Sequence, residues 1–243
     1  MSSFVLKLIA AVSMLCDHAG LILFPGIETL RVIGRLAFPL YAFCIAEGFR
    51  HTRSRMKYFL RVFVLGALCQ IVYFIVEEDV YLGILITFSL SIVLMALADG
   101  VKKAFSGEKS ALAELAEKIP NVVISETADR ILSVSAAVLG IGLVWLLTAR
   151  VTVDYGFFGV LLPVCANLFD EHPLRVLSFA CCLGAVCVSF ASDFPIQFWS
   201  LLTVPLVALY DGTSGRVRMK YFFYVFYPAH MAILYGISML PGW

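Results

Sequence analysis

The sequence predicts an all-α polytopic integral membrane protein, a bundle of about nine transmembrane helices. Three observations carry that expectation. The 243 residues are 61% hydrophobic and only 14% charged, with a mean hydropathy of +0.94. That is more apolar side chain than a water-facing surface can hide. The apolar residues also form repeated runs of roughly 17–25, the length that crosses hydrocarbon as helix. Finally, the runs are continuous rather than alternating with period two, so barrel strands do not fit, and backbone in lipid then closes its hydrogen bonds within helices.

Taken in order, the first helix covers about 4–24 and stops at Phe24-Pro25-Gly26. The second runs about 29–50, and the third about 57–76, ahead of Glu77-Glu78-Asp79. The fourth covers about 82–98. Residues 99–129 form one long polar connection within what is otherwise a single domain over 1–243. Inside it, Leu112, Leu115, Ala116 and Ile119 fall at i, i+3, i+4, i+7, an amphipathic helix that packs on the bundle or lies on the membrane surface. The fifth to ninth helices follow at about 130–149, 155–169, 174–191, 195–210 and 219–240.

Lysine and arginine set the orientation. With the N-terminus cytoplasmic, only Arg31, Arg35 and Arg150 of the 18 Lys and Arg fall in the outer half. That is the positive-inside pattern, and an odd helix count puts the C-terminus outside. An odd count without visible halves gives no support to an inverted-repeat transporter. The net charge of +1 makes no case for nucleic acid. All seven cysteines lie in apolar segments without a C-x-x-C pair, so neither a disulfide framework nor a metal site is expected.

Ionisable groups inside spanning helices are costly and point to function. The first helix carries Asp17 and His18; the second carries Arg31 and Arg35, one turn apart on one face. The short link makes these helices antiparallel neighbours, and the helical rise puts His18 and Arg35 both about 9 Å below the outer end. His230 of the ninth helix lies about 15 Å in, and Asp154 opens the sixth helix near the outer end. Neighbours on a helix point about 100° apart, so Asp17 is expected to pair with Arg31 or Arg35, leaving His18 free to act as a base. An Asp–Arg pair of this kind can also be purely structural, and Arg31 can simply snorkel to the interface. Glu47, near the inner end of the second helix, has Arg50 or Lys7 as its expected partner.

A second cluster is basic and cytoplasmic. Arg50, His51, Arg53, Arg55, Lys57 and Arg61 crowd the turn after the second helix. Arg216, Arg218 and Lys220 follow the Asp211-Gly212-Thr213-Ser214-Gly215 turn. Such charges serve topology and contact with anionic membrane lipid. Their other reading is a site for a phosphate-bearing molecule, with glycines letting backbone N–H groups approach. No Walker or Rossmann fingerprint accompanies them.

Several strings stand together: Asp17-His18-Ala19-Gly20, Gly34-Arg35-Leu36-Ala37-Phe38-Pro39, Glu47-Gly48-Phe49-Arg50-His51, Asp154-Tyr155-Gly156, Tyr210-Asp211-Gly212, and Phe223-Tyr224-Val225-Phe226-Tyr227-Pro228-Ala229-His230. With them the chain resembles the TraX family of membrane proteins over nearly its whole length, most weakly in the 99–129 connection. That family is associated with N-acetylation of conjugative pilin and is similar to the wider class of transmembrane acyltransferases, including acyltransferase-3 proteins. The resemblance implies a protein of the bacterial cytoplasmic (inner) membrane that takes an acyl group from cytoplasmic acetyl-CoA or another acyl-CoA. It implies transfer to an amine or hydroxyl acceptor reached from the other side, the acceptor itself being unnamed. His18 matches the histidine of the first-helix motif and is the expected general base, with Asp17 and His230 beside it. Arg31, Arg35, Glu47, Asp154, Tyr224 and Tyr227 are the expected acceptor-side residues. Lys7, Arg50, Arg53, Lys57, Arg61, Arg218 and Lys220 are expected to meet the donor's phosphates. Arg35, His230 or Tyr227 are the candidates to stabilise an oxyanion. A covalent acyl-enzyme on Cys16 is disfavoured, since nothing near it activates the thiol. The alternatives are a transporter or channel for an organic anion, and a non-catalytic assembly or lipid-scrambling protein.

Overall fold

A computed structural model describes residues 1–77, 81–120, 122–215 and 220–240, with the side chains of all of these except 76, 77, 220, 221 and 223. Among the described residues eleven α-helices follow one another: α1 (Ser3–Ile22), α2 (Glu28–Gly34), α3 (Ala37–His51), α4 (Arg55–Glu77), α5 (Ile84–Ser106), α6 (Ala111–Ala116), α7 (Glu126–Arg150), α8 (Gly156–Leu168), α9 (His172–Ser189), α10 (Thr203–Ala208) and α11 (Lys220–Ser238). A 3-10 helix, Pro195–Leu202, precedes α10. Two short strands, β1 (Tyr81–Leu82) and β2 (Thr152–Val153), pair in parallel, Tyr81 with Thr152 and Leu82 with Val153. Among the described residues, six helices are long and apolar enough to cross a membrane, with α2 and α3 together making one of them. Two shorter apolar stretches, Gly156–Leu168 and Pro195–Ala208, stand where the sixth and eighth helices were expected. The protein is thus helical and membrane-type.

Three departures from the expected elements have local causes. The second helix is broken at Arg35-Leu36. Pro39 has no N–H to give the Arg35 carbonyl, four residues back, so the α-helical ladder opens there. The fourth helix does not stop at 98 but runs to Ser106, ended by Gly107 in the left-handed conformation (φ 83°), whose N–H bonds the Lys103 carbonyl. Asp99, Lys102 and Lys103 are compatible with helix once it leaves hydrocarbon; hydropathy marks the lipid boundary, not the helix end. The fifth helix starts early for a matching reason. Ser125 caps the Ala128 N–H at 3.2 Å, and Glu126 and Asp129 sit in the favourable first turn. The 99–129 connection therefore shrinks to 107–125, where α6 is a helix of six residues that buries Ala113, while Leu115 and Ile119 stay exposed.

The chain divides into two compact units. The first is Met1–His51 with Cys165–Trp243. Here α1 packs on α2, α3 and α11, and α9 packs on the 3-10 helix and α10. Its core holds Leu6, Leu40, Phe43, Phe49, Phe179 and Leu183. Phe43 meets Phe179 and Tyr210 edge-on, at 6.0 and 5.4 Å between centroids. The second unit is Thr52–Val164. There α5 packs between α4 and α7 in contact terms, and Leu94, Val144, Val153 and Val160 form a buried cluster. Outward on α4 and α7 lie Ile71, Ile75, Val138 and Leu143, all more than half exposed, a surface that suits lipid.

Candidate functional site

The first unit gathers the polar groups expected on three spanning helices. Asp17 on α1 receives both arginines of the α2 stretch: Arg31 Nη1 lies 3.0 Å from Oδ2 and Arg35 Nη2 lies 2.5 Å from Oδ1. Arg31 also donates to the Asp17 carbonyl (3.2 Å), and Arg35 Nε to the Arg31 carbonyl (3.3 Å). Gly34 makes this approach feasible, because a Cβ there would fall 2.3 Å from the Asp17 side chain. The break after Arg35 lets its guanidinium turn back along α2 and still reach the start of the 3-10 helix, where Nη1 donates to Gln197 Oε1 at 3.4 Å. Gln197 is 2% exposed. Its Nε2 is buried with no hydrogen-bond partner among the described residues, an arrangement that costs about 1–3 kcal/mol.

His18 is not left free. Its Nδ1 lies 2.7 Å from Nε2 of His230 on α11, with ring centroids 4.9 Å apart and ring planes 28° from parallel. His230 Nδ1 lies 2.7 Å from the Phe226 carbonyl. A carbonyl only accepts, so His230 carries its proton on Nδ1 and its Nε2 is the acceptor. His18 therefore donates from Nδ1, and the lone pair of His18 Nε2 is the one basic position the pair leaves open. The tautomers follow from the hydrogen-bond network. Phe226 and Tyr227 flank the His230 ring, at 5.0 and 6.1 Å between centroids. Pro228 lies inside α11 and removes the N–H that would meet the Tyr224 carbonyl.

A second constellation occupies the other end of the same unit. The Glu47 carboxylate on α3 is met by Arg175 of α9 and by the Tyr210 hydroxyl at 2.8 Å, with His51 Nδ1 at 3.6 Å. Arg175 also donates to the Ala166 carbonyl (2.8 Å) and lies over the Phe43 ring at 5.3 Å. Burial, then the Glu47 carboxylate, pushes the Tyr210 phenol above its usual range. These groups line a cavity of about 430 Å³ together with Arg50, His172 and the Asp211-Gly212 turn. Glu47 thus has partners other than those expected. Arg50 instead donates to the Phe169 carbonyl (3.2 Å) and pairs with Asp170 (3.0 Å). An Arg50 or Lys7 partner was expected because both are near in sequence or depth; the face Glu47 presents is covered by α9.

The remaining expected residues are spread more widely. Asp154, Arg53, Lys57 and Arg61 belong to the second unit. Asp154 is tied there through its backbone, accepting from Thr87 Oγ1 at 3.0 Å and donating to the Leu82 carbonyl at 2.9 Å. Arg53 and Lys57 are exposed, and Arg61 lies over the Tyr58 ring at 5.7 Å. Lys7 and Tyr224 are half-buried on α1 and α11. Arg218 lies outside the described residues, and so does the side chain of Lys220. Sequence reading passed over Gln197, Arg175 and His172. Arg175 looked like one more inner-end charge, and only its position inside an apolar helix, Leu174-Arg175-Val176, distinguishes it.

The chain is 27% identical over 255 residues, 98% of its own length and 96% of the relative's, to a probable fimbrial assembly protein FimC, serogroup H1, of Dichelobacter nodosus. It is 33% identical over 66 residues, 27% of its own length and 25% of the relative's, to the uncharacterized protein RP591 of Rickettsia prowazekii (strain Madrid E). No solved structure matches it. The model of the TraX protein family matches residues 2–238, a span that includes Asp17, His18, Arg35, Glu47 and His230 alike, and the chain belongs to that family.

Proposed function

We propose that this protein is a membrane-embedded acyltransferase. It moves an acetyl or other acyl group from cytoplasmic acyl-CoA to an amine or hydroxyl acceptor reached from the outer side. The observation that carries the proposal is the histidine pair: one open imidazole nitrogen, held in a fixed tautomer, inside a helical membrane protein. In this reading the protein sits in the bacterial inner membrane with about nine crossings and its N-terminus inside. Membership of the TraX family and the fimbrial name of the Dichelobacter relative support a pilus-related surface peptide as one class of acceptor.

The chemistry derives from the residues. His18 Nε2 takes the proton of the attacking N–H or O–H as the new bond to the acyl carbon forms. The imidazolium that results keeps its Nδ1–H on His230 Nε2, and His230 keeps its own on the Phe226 carbonyl, so the ring cannot turn away. The oxygen of the tetrahedral adduct needs donors. Gln197 Nε2 is a donor without a partner among the described residues, joined through Arg35 to Asp17, the neighbour of His18 in sequence. The carbon–sulfur bond then breaks, and His18 returns its proton to the departing thiolate. Products are the acylated acceptor and the free thiol. Asp17, paired with two arginines, positions α1 against α2 and is not itself a base here.

The test uses purified protein in nanodiscs with radiolabelled acetyl-CoA and an acceptor screen of amines, sugars and pilin-like peptides. Transfer by the wild-type protein and its loss in His18→Ala is the expected result. Full transfer by folded His18→Ala protein sinks the assignment of the base. Anion flux in proteoliposomes without acyl-CoA, and no transfer, moves the transporter reading to first place.

A further inference from the structure

The cavity at Glu47 is built differently from the histidine pair, and the proposed transfer step does not use it. Asp211 N donates to the Met1 carbonyl at 3.0 Å, so the cavity lies at the start of α1. His18 is further along the same helix by about 24 Å. At about 430 Å³ the cavity is in the size range of small-molecule sites.

Its lining has charge to offer an anion and little for a cation. Both carboxylates are committed. Glu47 is held by Arg175, Tyr210 and His51. Asp211 is held by the Thr213 hydroxyl (2.6 Å) and amide (2.9 Å) and by the Met1 amine, and these push its carboxyl down to about 2. Arg50 is less tightly committed: besides Asp170 it donates to the Phe169 carbonyl (3.2 Å) and to Asn167 Oδ1 (3.5 Å). The side chain of Asp170, partner of Arg50, is 83% exposed, and an exposed pair of that kind is worth about 0–1 kcal/mol. An incoming oxyanion can therefore replace it on the guanidinium with small loss. Arg175 is 6% exposed and braced on Glu47 and on the Phe43 ring, so it supplies a fixed positive wall.

Two imidazoles complete the set. His51 Nδ1 lies 2.9 Å from the Glu47 carbonyl, and His172 Nε2 lies 3.2 Å from the Ala208 carbonyl. Each carbonyl fixes that nitrogen as a donor, so His51 Nε2 and His172 Nδ1 are left to meet a ligand. Such a nitrogen accepts the proton of a monoprotonated phosphate, or takes up a proton and donates. Gly212, with φ 77°, closes the rim with backbone alone. Arginine for bidentate contact, imidazole for a shared proton and backbone for close approach together recognise phosphate.

We propose that this cavity binds the phosphate group of a phosphorylated ligand, with Arg50 and His172 as its contacts and Arg175, braced by Glu47 and Tyr210, as its fixed charge. The phosphate has two sources, the acyl-CoA donor or the headgroup of an anionic lipid. The donor source rests on the acyltransferase reading; the phosphate site itself does not.

The experiment is calorimetric titration of the purified full chain with CoA, with dephospho-CoA and inorganic phosphate as competitors. It is run in nanodiscs of phosphatidylcholine with and without phosphatidylglycerol. Arg50→Gln and His172→Gln each weaken CoA binding by about tenfold or more, the size of one charge-assisted hydrogen bond. Asp170→Asn removes the exposed competitor for Arg50 and tightens binding severalfold, a gain that misfolding cannot imitate. Arg150→Gln, a charge-matched change in the second unit, leaves affinity unaltered. CoA affinity unchanged in both Arg50→Gln and Asp170→Asn overturns the cavity assignment and leaves acyl transfer standing. Absence of CoA binding, together with phosphatidylglycerol-dependent thermal stabilisation that Arg50→Gln abolishes, keeps the phosphate site and overturns the acyl-CoA donor. Neither ligand binding overturns both.

Discussion

The two units of this protein bury polar groups in opposite ways. In the second, helix interiors carry hydroxyls that bond to backbone carbonyls: Ser89 to Leu85 (2.7 Å), and Ser91 to Thr87 (2.9 Å) and Val160 (2.7 Å). A larger knot, Asp129 with Ser110 and Ser133, sits at the start of α7. In the first, whole charges face one another inside apolar helices, Asp17 with Arg31 and Arg35, and Glu47 with Arg175. A hydroxyl on a carbonyl brings its own donor and leaves little behind when deleted. A buried ion pair leaves an uncompensated charge when either partner goes. Side chains kept at that cost point to the unit that carries the chemistry.

Predictions can break this contrast or sharpen it. The largest effect belongs to Asp17→Asn, which removes the countercharge of two guanidiniums. We expect about 3–5 kcal/mol of lost stability, read as the shift in detergent-resistant unfolding, and a shift no larger than that of a surface change would break the contrast. Gly34→Ala comes next. Its new methyl group meets Asp17 at 2.3 Å, so about 1–3 kcal/mol is expected from overpacking, and it should not add to Asp17→Asn in a double-mutant cycle. Gln197→Met keeps volume and removes the orphan donor. It should lower acyl transfer by about 100-fold if Nε2 meets the oxyanion, with little net change in unfolding temperature, since relief of the orphan donor offsets the acceptor that Arg35 loses. Equal rates would assign that atom to buried water. His230→Gln, whose Oε1 can still accept from His18, should retain more transfer than His230→Leu at matched stability. The smallest effect is on the other side of the comparison: Ser91→Ala in the second unit should cost about 0.5–1.5 kcal/mol, measured the same way.

Much of the charged architecture was legible because it is local. Asp17 and the two arginines lie on consecutive helices joined by a short link, so helical rise and face alone bring them together. His230 could be given a depth but not a partner: its contact with His18 joins residues 212 apart in sequence. The same holds for Arg35 with Gln197, 162 apart, and Arg175 with Glu47, 128 apart. Pairings over such separations depend on which helices become neighbours, and hydropathy does not encode that. The break at Arg35-Leu36 was readable in principle from Pro39. The β1–β2 pair was not, since two residues show no period. The limits of α5 and α7 were misjudged because lipid boundary and helix boundary were treated as one.

The histidine contact also has a place in time. Asp17 and its arginines leave the ribosome within moments of one another, so α1 and α2 can enter the membrane as a hairpin whose charges already cancel. His230 is 212 residues behind His18, roughly 10–40 s later at ordinary rates of synthesis. Until α11 arrives, His18 Nδ1 has no imidazole to hold it and the ring is free to turn. The base is therefore oriented only once α11 has been made, so a chain stalled before it would hold its early charge pairs and still lack an oriented base.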